Sequence, residues 1–253
     1  MKTHVILYLA LILNLTTNAQ SIVKDIVPGP DRSLTNPVDF TQLNDEVFFE
    51  VYLPTFDFVL YKTDGTSEGT VEIRDFGFSQ LSNFFTLNDK VLFIENDVLK
   101  RTNGNQGNSV NLFNLTRRFL SMAPFQNDQA VIMLNDGSNT WLYITNGETG
   151  GTRRLKTFFF ETFGETYSHY KNGVVISENS TQINRFPPII SFGSQANTET
   201  LSDYLLSLNV SKDANTAVGA GDVLFFEGAD GEFAIMNDTL YSAEIRGECK
   251  QAV

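Results

Sequence analysis

Cysteine is almost missing from this 253-residue chain: Cys249, near the C-terminus, is the only one. An internal disulfide framework is therefore excluded, and stability must come from burying a core. Histidine is nearly as scarce, with only His4 and His169. That count excludes zinc sites built from His and Cys clusters and leaves little for a nucleophilic triad. Cations are also short. Against 30 Asp and Glu stand 18 Lys and Arg, for a formal net charge of −12. Nucleic acid is not an expected partner, because affinity for phosphate backbones needs clustered Lys and Arg. Tryptophan occurs once, yet there are 22 Phe and 8 Tyr.

Long apolar runs are absent except at the N-terminus, MKTHVILYLALILNLTTNAQ. Lys2 gives a positive start, Val5 to Leu13 is apolar, and Thr17-Asn18-Ala19 supplies small residues. This is the layout of a secretory signal peptide, residues 1–19, cleaved after Ala19. The run is too short to span a hydrocarbon core, which takes roughly 20 residues. The expected mature chain is a single domain, 20–253, secreted or periplasmic, with no membrane span and His169 as its one histidine.

What the chain does have is an internal repeat. TDGTSEGTVEI (Thr63 to Ile73) recurs as TNGNQGNSVNL (Thr102 to Leu112) and TNGETGGTRRL (Thr145 to Leu155). The pairs Asp64-Gly65, Asn103-Gly104 and Asn146-Gly147 are tight-turn signals. A second string, NDEVFFE, NDKVLFIE and NDQAVIML, has weaker copies in KNGVVISE and AGDVLFFE. With Val47, Val91, Ala130, Val174 and Val223 taken as equivalent, the spacings are 44, 39, 44 and 49 residues. The apolar runs are rich in Val, Ile, Phe and Tyr, which is strand chemistry. About four strands fit in each period of roughly 44 residues, and about five periods fit in the mature chain. The expectation is an all-β, β-propeller-like domain of about five four-stranded blades. Thr200–Leu208 is the one helical stretch, with Leu201, Leu205 and Leu208 at helical spacing. About 185–218 breaks the repeat and reads as an insertion. Ile22–Ile26 resembles the outgoing end of a unit, so an N-terminal strand is expected to clasp the last blade.

These strings resemble the bacterial secreted repeat family with the consensus ELWxTDGTxxGTxxVKDIxPG. The matching residues are Leu60 to Thr66 with Gly69-Thr70, and Val23 to Gly29. The resemblance implies a propeller-like exported protein and carries no catalytic residues. It departs at the family's Trp, replaced here by Tyr61, Lys100 and Tyr143.

Candidate chemistry is thin. His169, in Tyr167-Ser168-His169-Tyr170, reads as a surface or packed residue. Glycoside hydrolysis needs only two carboxylates, and Asp39, Glu50, Glu95, Glu178 and Glu227 follow or flank apolar strands. Four of them, Glu50, Glu95, Glu178 and Glu227, follow the same recurring strand, which favours a structural role over an asymmetric catalytic pair. The turns at Asp64, Asn103 and Asn146, with Asp136 to Asn139 and Asp230 to Glu232, lack the oxygen spacing of an EF-hand. No cofactor is expected, and calcium in those turns stays open. Tyr61, Trp141 and Tyr143 are the aromatics placed to stack on a sugar, although strand aromatics mostly fill the space between blades. The resulting expectation is a non-catalytic, monomeric module binding a glycan or an envelope or extracellular protein at one face. The alternatives are a structural envelope component and a carboxylate-dependent glycan-active enzyme.

Overall fold

The computed structural model describes residues 24, 26, 36–126, 128–160, 165–178, 187–210, 214–228, 231–244 and 248–251. The signal peptide expected over 1–19 lies outside them, as does the expected N-terminal strand apart from Lys24 and Ile26. Among the described residues the chain is all-β apart from one helix, and its strands form five blades.

Blade one contains β1 (Asn36–Leu43), β2 (Glu46–Tyr52), β3 (Phe58–Thr63) and β4 (Val71–Asp75). Blade two contains β5 (Leu81–Leu87), β6 (Lys90–Glu95), β7 (Val98–Thr102) and β8 (Val110–Asn114). Blade three contains β9 (Arg118–Phe125), β10 (Gln129–Asn135), β11 (Thr140–Thr145) and β12 (Arg153–Phe158). Blade four contains β13 (Glu165–Tyr170), β14 (Gly173–Glu178), β15 (Ile189–Ser191) and β16 (Thr198–Thr200), followed by α1 (Leu201–Ser207). Blade five has β17 (Thr216–Gly221), β18 (Val223–Gly228), β19 (Gly231–Met236) and β20 (Thr239–Glu244), and adds a fifth strand, β21 (Glu248–Gln251). Strands within a blade are antiparallel and in chain order. Blades four and five are joined, because β13 and β17 pair in parallel through His169 with Ala220 and Tyr170 with Gly221.

Two corrections to the repeat follow. The stretch about 185–218 is an insertion only in part: it supplies β15 and β16, the outer half of blade four, while α1 stands between blades four and five. The fifth equivalent of Val47 is Leu224 rather than Val223. Val223 pairs with Ala220 across a two-residue turn, as Glu46 pairs with Leu43 and Lys90 with Leu87. The outer edge of blade five is formed by β21 from the C-terminal end of the chain.

Register explains the core. Side chains alternate along a strand, so the second strand of each inner blade serves two neighbours at once. Phe48, Leu92, Val131 and Val175 occupy one equivalent position, and all four are 0% exposed. Each packs against the following blade, in four successive clusters. The flanking pairs Val91 and Phe93, Ala130 and Ile132, Val174 and Ile176, and Leu224 and Phe226 pack back against the preceding blade.

The recurring Thr-Asp/Asn-Gly loops between third and fourth strands are built from hydroxyls. Thr63, Thr102 and Thr145 accept from the N–H of Gly65, Gly104 and Gly147 at 3.0, 3.1 and 3.1 Å. Asp64, Asn103 and Asn146 accept from the N–H two residues on, at 2.9, 3.2 and 3.0 Å. A fourth copy is Ser191-Phe192-Gly193, where the Ser191 hydroxyl takes the Gly193 N–H at 3.3 Å. The loop base is tied by hydroxyl pairs, Thr63 with Thr70, Thr145 with Thr152 and Ser191 with Thr198, at 2.7, 2.9 and 2.7 Å. Blade five replaces this loop by a two-residue hairpin, Asn237-Asp238, with φ 52° and 58°, the positive pair of a type I′ turn. The expected helix is present as α1, with the Thr200 side chain accepting from the Asp203 N–H and Leu201 and Leu205 buried.

Glu50 belongs to the blade one–blade two junction. It is 1% exposed, and its Oε2 accepts from the Leu81 N–H, at the start of β5, at 2.6 Å. Ser177 does the same between blades four and five, accepting from Ala217 N–H at 3.1 Å. Burial pushes the Glu50 carboxyl up to about 7; the Leu81 N–H pulls it down and the Asp39 charge adds to the rise.

Two predictions test these junctions. Gly104, at φ +83°, would place a Cβ 2.8 Å from Phe48 Cζ, whereas Gly65, at φ +90°, faces open space. Gly104→Ala should cost about 3 kcal/mol and Gly65→Ala about 1 to 2, read by urea denaturation. For Glu50 the folded value lies above the ordinary 4.5. Its stabilising contribution is therefore complete below pH 4.5 and is lost as pH rises to about 7. Denaturation across that window should show a loss of up to about 3 kcal/mol from this group. Glu50→Gln, which keeps an acceptor for Leu81, should flatten it; superimposable pH profiles would mean that Glu50 titrates normally.

Candidate functional site

The three aromatics singled out from the sequence do not form one platform. Tyr61 lies on β3, half-buried and stacked on Phe49 at 5.9 Å. Burial raises its hydroxyl pKa, helped by the negative charges of Glu72 and Asp75. Tyr143 is 8% exposed and packs on Phe113 at 5.1 Å. It fills the junction between blades two and three. Trp141 is on the same strand, but its ring already carries the Arg117 guanidinium at 3.3 Å, with Arg154 at 5.4 Å. Its Nε1–H donates to Asp136 Oδ2 at 3.3 Å. A sugar would have to displace an arginine to stack there.

The turn residues are equally committed. Asp64 accepts from both the hydroxyl and the N–H of Thr66, which lowers its carboxyl pKa. Asp136 accepts from the N–H groups of Ser138 and Asn139 within the β10–β11 turn. Among the described residues no group of three or more His, Cys, Asp or Glu side chains is placed to hold a metal ion.

The carboxylates divide as well. Glu50 and Glu227 share one register position, while Glu95 and Glu178 stand one residue further along, opposite Val98 and Glu165. Glu95 is ion-paired with Lys100. Glu227 meets Thr216 across the β17–β18 pair. The Asp39 charge acts on Glu50, raising its carboxyl pKa. Glu50 is sealed into a blade junction, so that pair has no face on which a substrate and water could sit.

A different place collects accessible polar groups. The β9–β10 and β13–β14 turns flank a cleft of about 530 Å³ lined by Pro124, Gln126, His169, Lys171, Asn172 and Gly173. These are the ends of the first strands of blades three and four, so the cleft opens at the inner rim of one propeller face. Gln126 Nε2 donates to the Asn172 carbonyl at 2.8 Å, bracing one blade on the other. Lys171 is fixed by its N–H to the Gly221 carbonyl and by its ammonium to Asp238, both at 2.6 Å. The hydrogen bond to Asp238 raises the Lys171 pKa. Gln126, His169, Lys171 and Asn172 are all exposed. The sequence reads His169 as a surface or packed residue, and it is exposed at this rim. Its neighbours here come from a turn about forty residues away, and no local pattern announces that meeting.

No protein-family profile matches the chain, and no curated protein matches it. Solved structures do. One is an oligogalacturonate lyase in complex with manganese, at 9% identity over 82% of this chain, with a TM-score of 0.49. The chain spans 61% of that lyase's length. Another is the β-propeller domain of the Trilobed protease from Pyrococcus furiosus, at 12% identity over 86% of this chain and 71% of that one, TM-score 0.45. A third is the AfRom2 CNH domain, at 8% identity over 84% and 79%, TM-score 0.47. At such identities the likeness concerns the β-propeller fold alone.

Proposed function

We propose that the chain is an exported, non-catalytic binding module that takes a polar, hydrogen-bonding ligand, a glycan in the first instance, in the rim cleft between blades three and four. The observation carrying this reading is the cleft itself. Gln126, Asn172 and the His169 imidazole offer amide and ring hydrogen-bonding groups, and the Lys171 ammonium, paired with Asp238, adds further donors. The concavity is braced by the Gln126 side chain on the Asn172 carbonyl and by the Lys171 N–H on the Gly221 carbonyl. Ligand sites commonly combine such a concave shape with a few convergent polar groups. No carboxylate is among its described lining residues, so a hydrolytic acid pair has no support there. Export rests on the N-terminal apolar segment, and an extracellular or envelope protein is the other ligand class this rim would suit.

The test is a glycan array probed with the purified mature chain, 20–253, alongside His169→Ala and Gln126→Ala. The His169 side chain is exposed, so His169→Ala should leave the melting temperature unchanged, whereas Gln126→Ala also removes the bond to the Asn172 carbonyl and should lower it by a few degrees at most. Binding to at least one glycan class should fall about tenfold or more in each variant, the loss of roughly one good hydrogen bond to a charged or polar group. A blank array, or binding indifferent to both substitutions, would remove the glycan reading.

A further inference from the structure

The four blade junctions inside the chain are built to one pattern, and that pattern is left unfinished at both ends. At each internal junction a buried residue of the second strand is covered by the next blade. Phe48, Leu92, Val131 and Val175 are all 0% exposed for this reason. Phe225 holds the same register in blade five and is 42% exposed. Val218, its partner across the β17–β18 pair, is 56% exposed. An apolar face of blade five is therefore open.

Blade one shows the complementary lack. In blade two, Phe84 stacks on Phe93 at 5.8 Å, and the two pack against Phe48, Leu60 and Ile73 of blade one. Blade one carries the same stack at the same register, Phe40 on Phe49 at 5.6 Å. Phe40 nevertheless remains 63% exposed. The loop glycines agree. A Cβ on Gly104 would meet Phe48, on Gly147 it would meet Leu87, and on Gly193 it would meet Phe125, each on the preceding blade. On Gly65 of blade one it would meet nothing within 4 Å.

From this we infer that the open face of blade five is a docking surface for blade one of a second copy of this chain. The occupant follows from continuity with the internal junctions. Phe225 repeats Phe48, and the Phe40–Phe49 stack with Gly65 repeats the Phe84–Phe93 stack with Gly104. Among the described residues both faces stand open in one chain at once. The contact is head-to-tail: each copy offers a different face at each end. Such an interface adds copies in series unless its rotation closes a ring.

The experiment is light scattering of the full chain across the micromolar range, with Phe40→Asp and Phe225→Asp. Both positions are exposed, and circular dichroism of each variant would check that the fold is kept. The wild type should grow beyond monomer mass with concentration, and each variant alone should associate at least tenfold more weakly. An equimolar mixture of the two variants should form a one-to-one dimer and stop, because each keeps one working face. A wild type that stays monomeric throughout would overturn the inference. So would variants that associate as the wild type does, or a mixture that gives no dimer.

Discussion

Every blade is a sheet only one strand thick with apolar side chains on both of its faces, and neither face can be left in water. That requirement organises the rest of the molecule. Alternation along β2, β6, β10, β14 and β18 sends one residue forward and the next one back, so blades two, three and four are each half of two separate cores. The four clusters are accordingly shared between consecutive blades rather than housed within one. Stability of this kind resembles a sum of nearest-neighbour terms, in which a blade is only as secure as its two contacts.

The polar groups at these junctions show how the apolar contacts are kept in register. Glu50 and Ser177 take backbone N–H groups of the following blade. Glu148 of blade three receives Arg101 and Lys90 of blade two at 2.9 and 3.1 Å. The Arg153 guanidinium of blade three reaches the Gly193 carbonyl of blade four at 2.6 Å. Exposed ion pairs add little stability, but a bond crossing between blades fixes which residue faces which. The Arg117–Trp141–Asp136 cluster in blade three does likewise for the β10–β11 turn.

Much of this architecture was legible in the sequence because turns have strict chemistry. Asp-Gly and Asn-Gly pairs announced three loops, and the Leu201–Leu205–Leu208 spacing announced the helix. The fourth loop escaped notice because Phe192 replaces the Asp or Asn, while the less conspicuous hydroxyl pair Ser191 and Thr198 was kept. The fifth register slipped by one because Val223 and Leu224 are both apolar, and only strand pairing tells them apart. The site was far less legible. Residue type alone does not say whether Tyr61, Trp141 or Tyr143 is wet or packed, since the neighbour that decides lies a whole blade away. The polar rim was invisible for the same reason: its two turns meet through the fold and share no motif.

The parallel pairing of β13 with β17 gives the molecule an uneven grain. Elsewhere, neighbouring blades are held mainly by side chains; between described residues a single backbone bond crosses, from the Gly107 N–H of blade two to the Ile73 carbonyl of blade one. Blades four and five are instead stitched through strand pairing into one continuous sheet of nine strands. Such a sheet opens as a unit, because separating the two blades would expose main-chain groups as well as apolar surface. Under pulling or partial denaturation the first three blades can peel away one at a time. The last two leave together, and the molecule comes apart in four pieces rather than five.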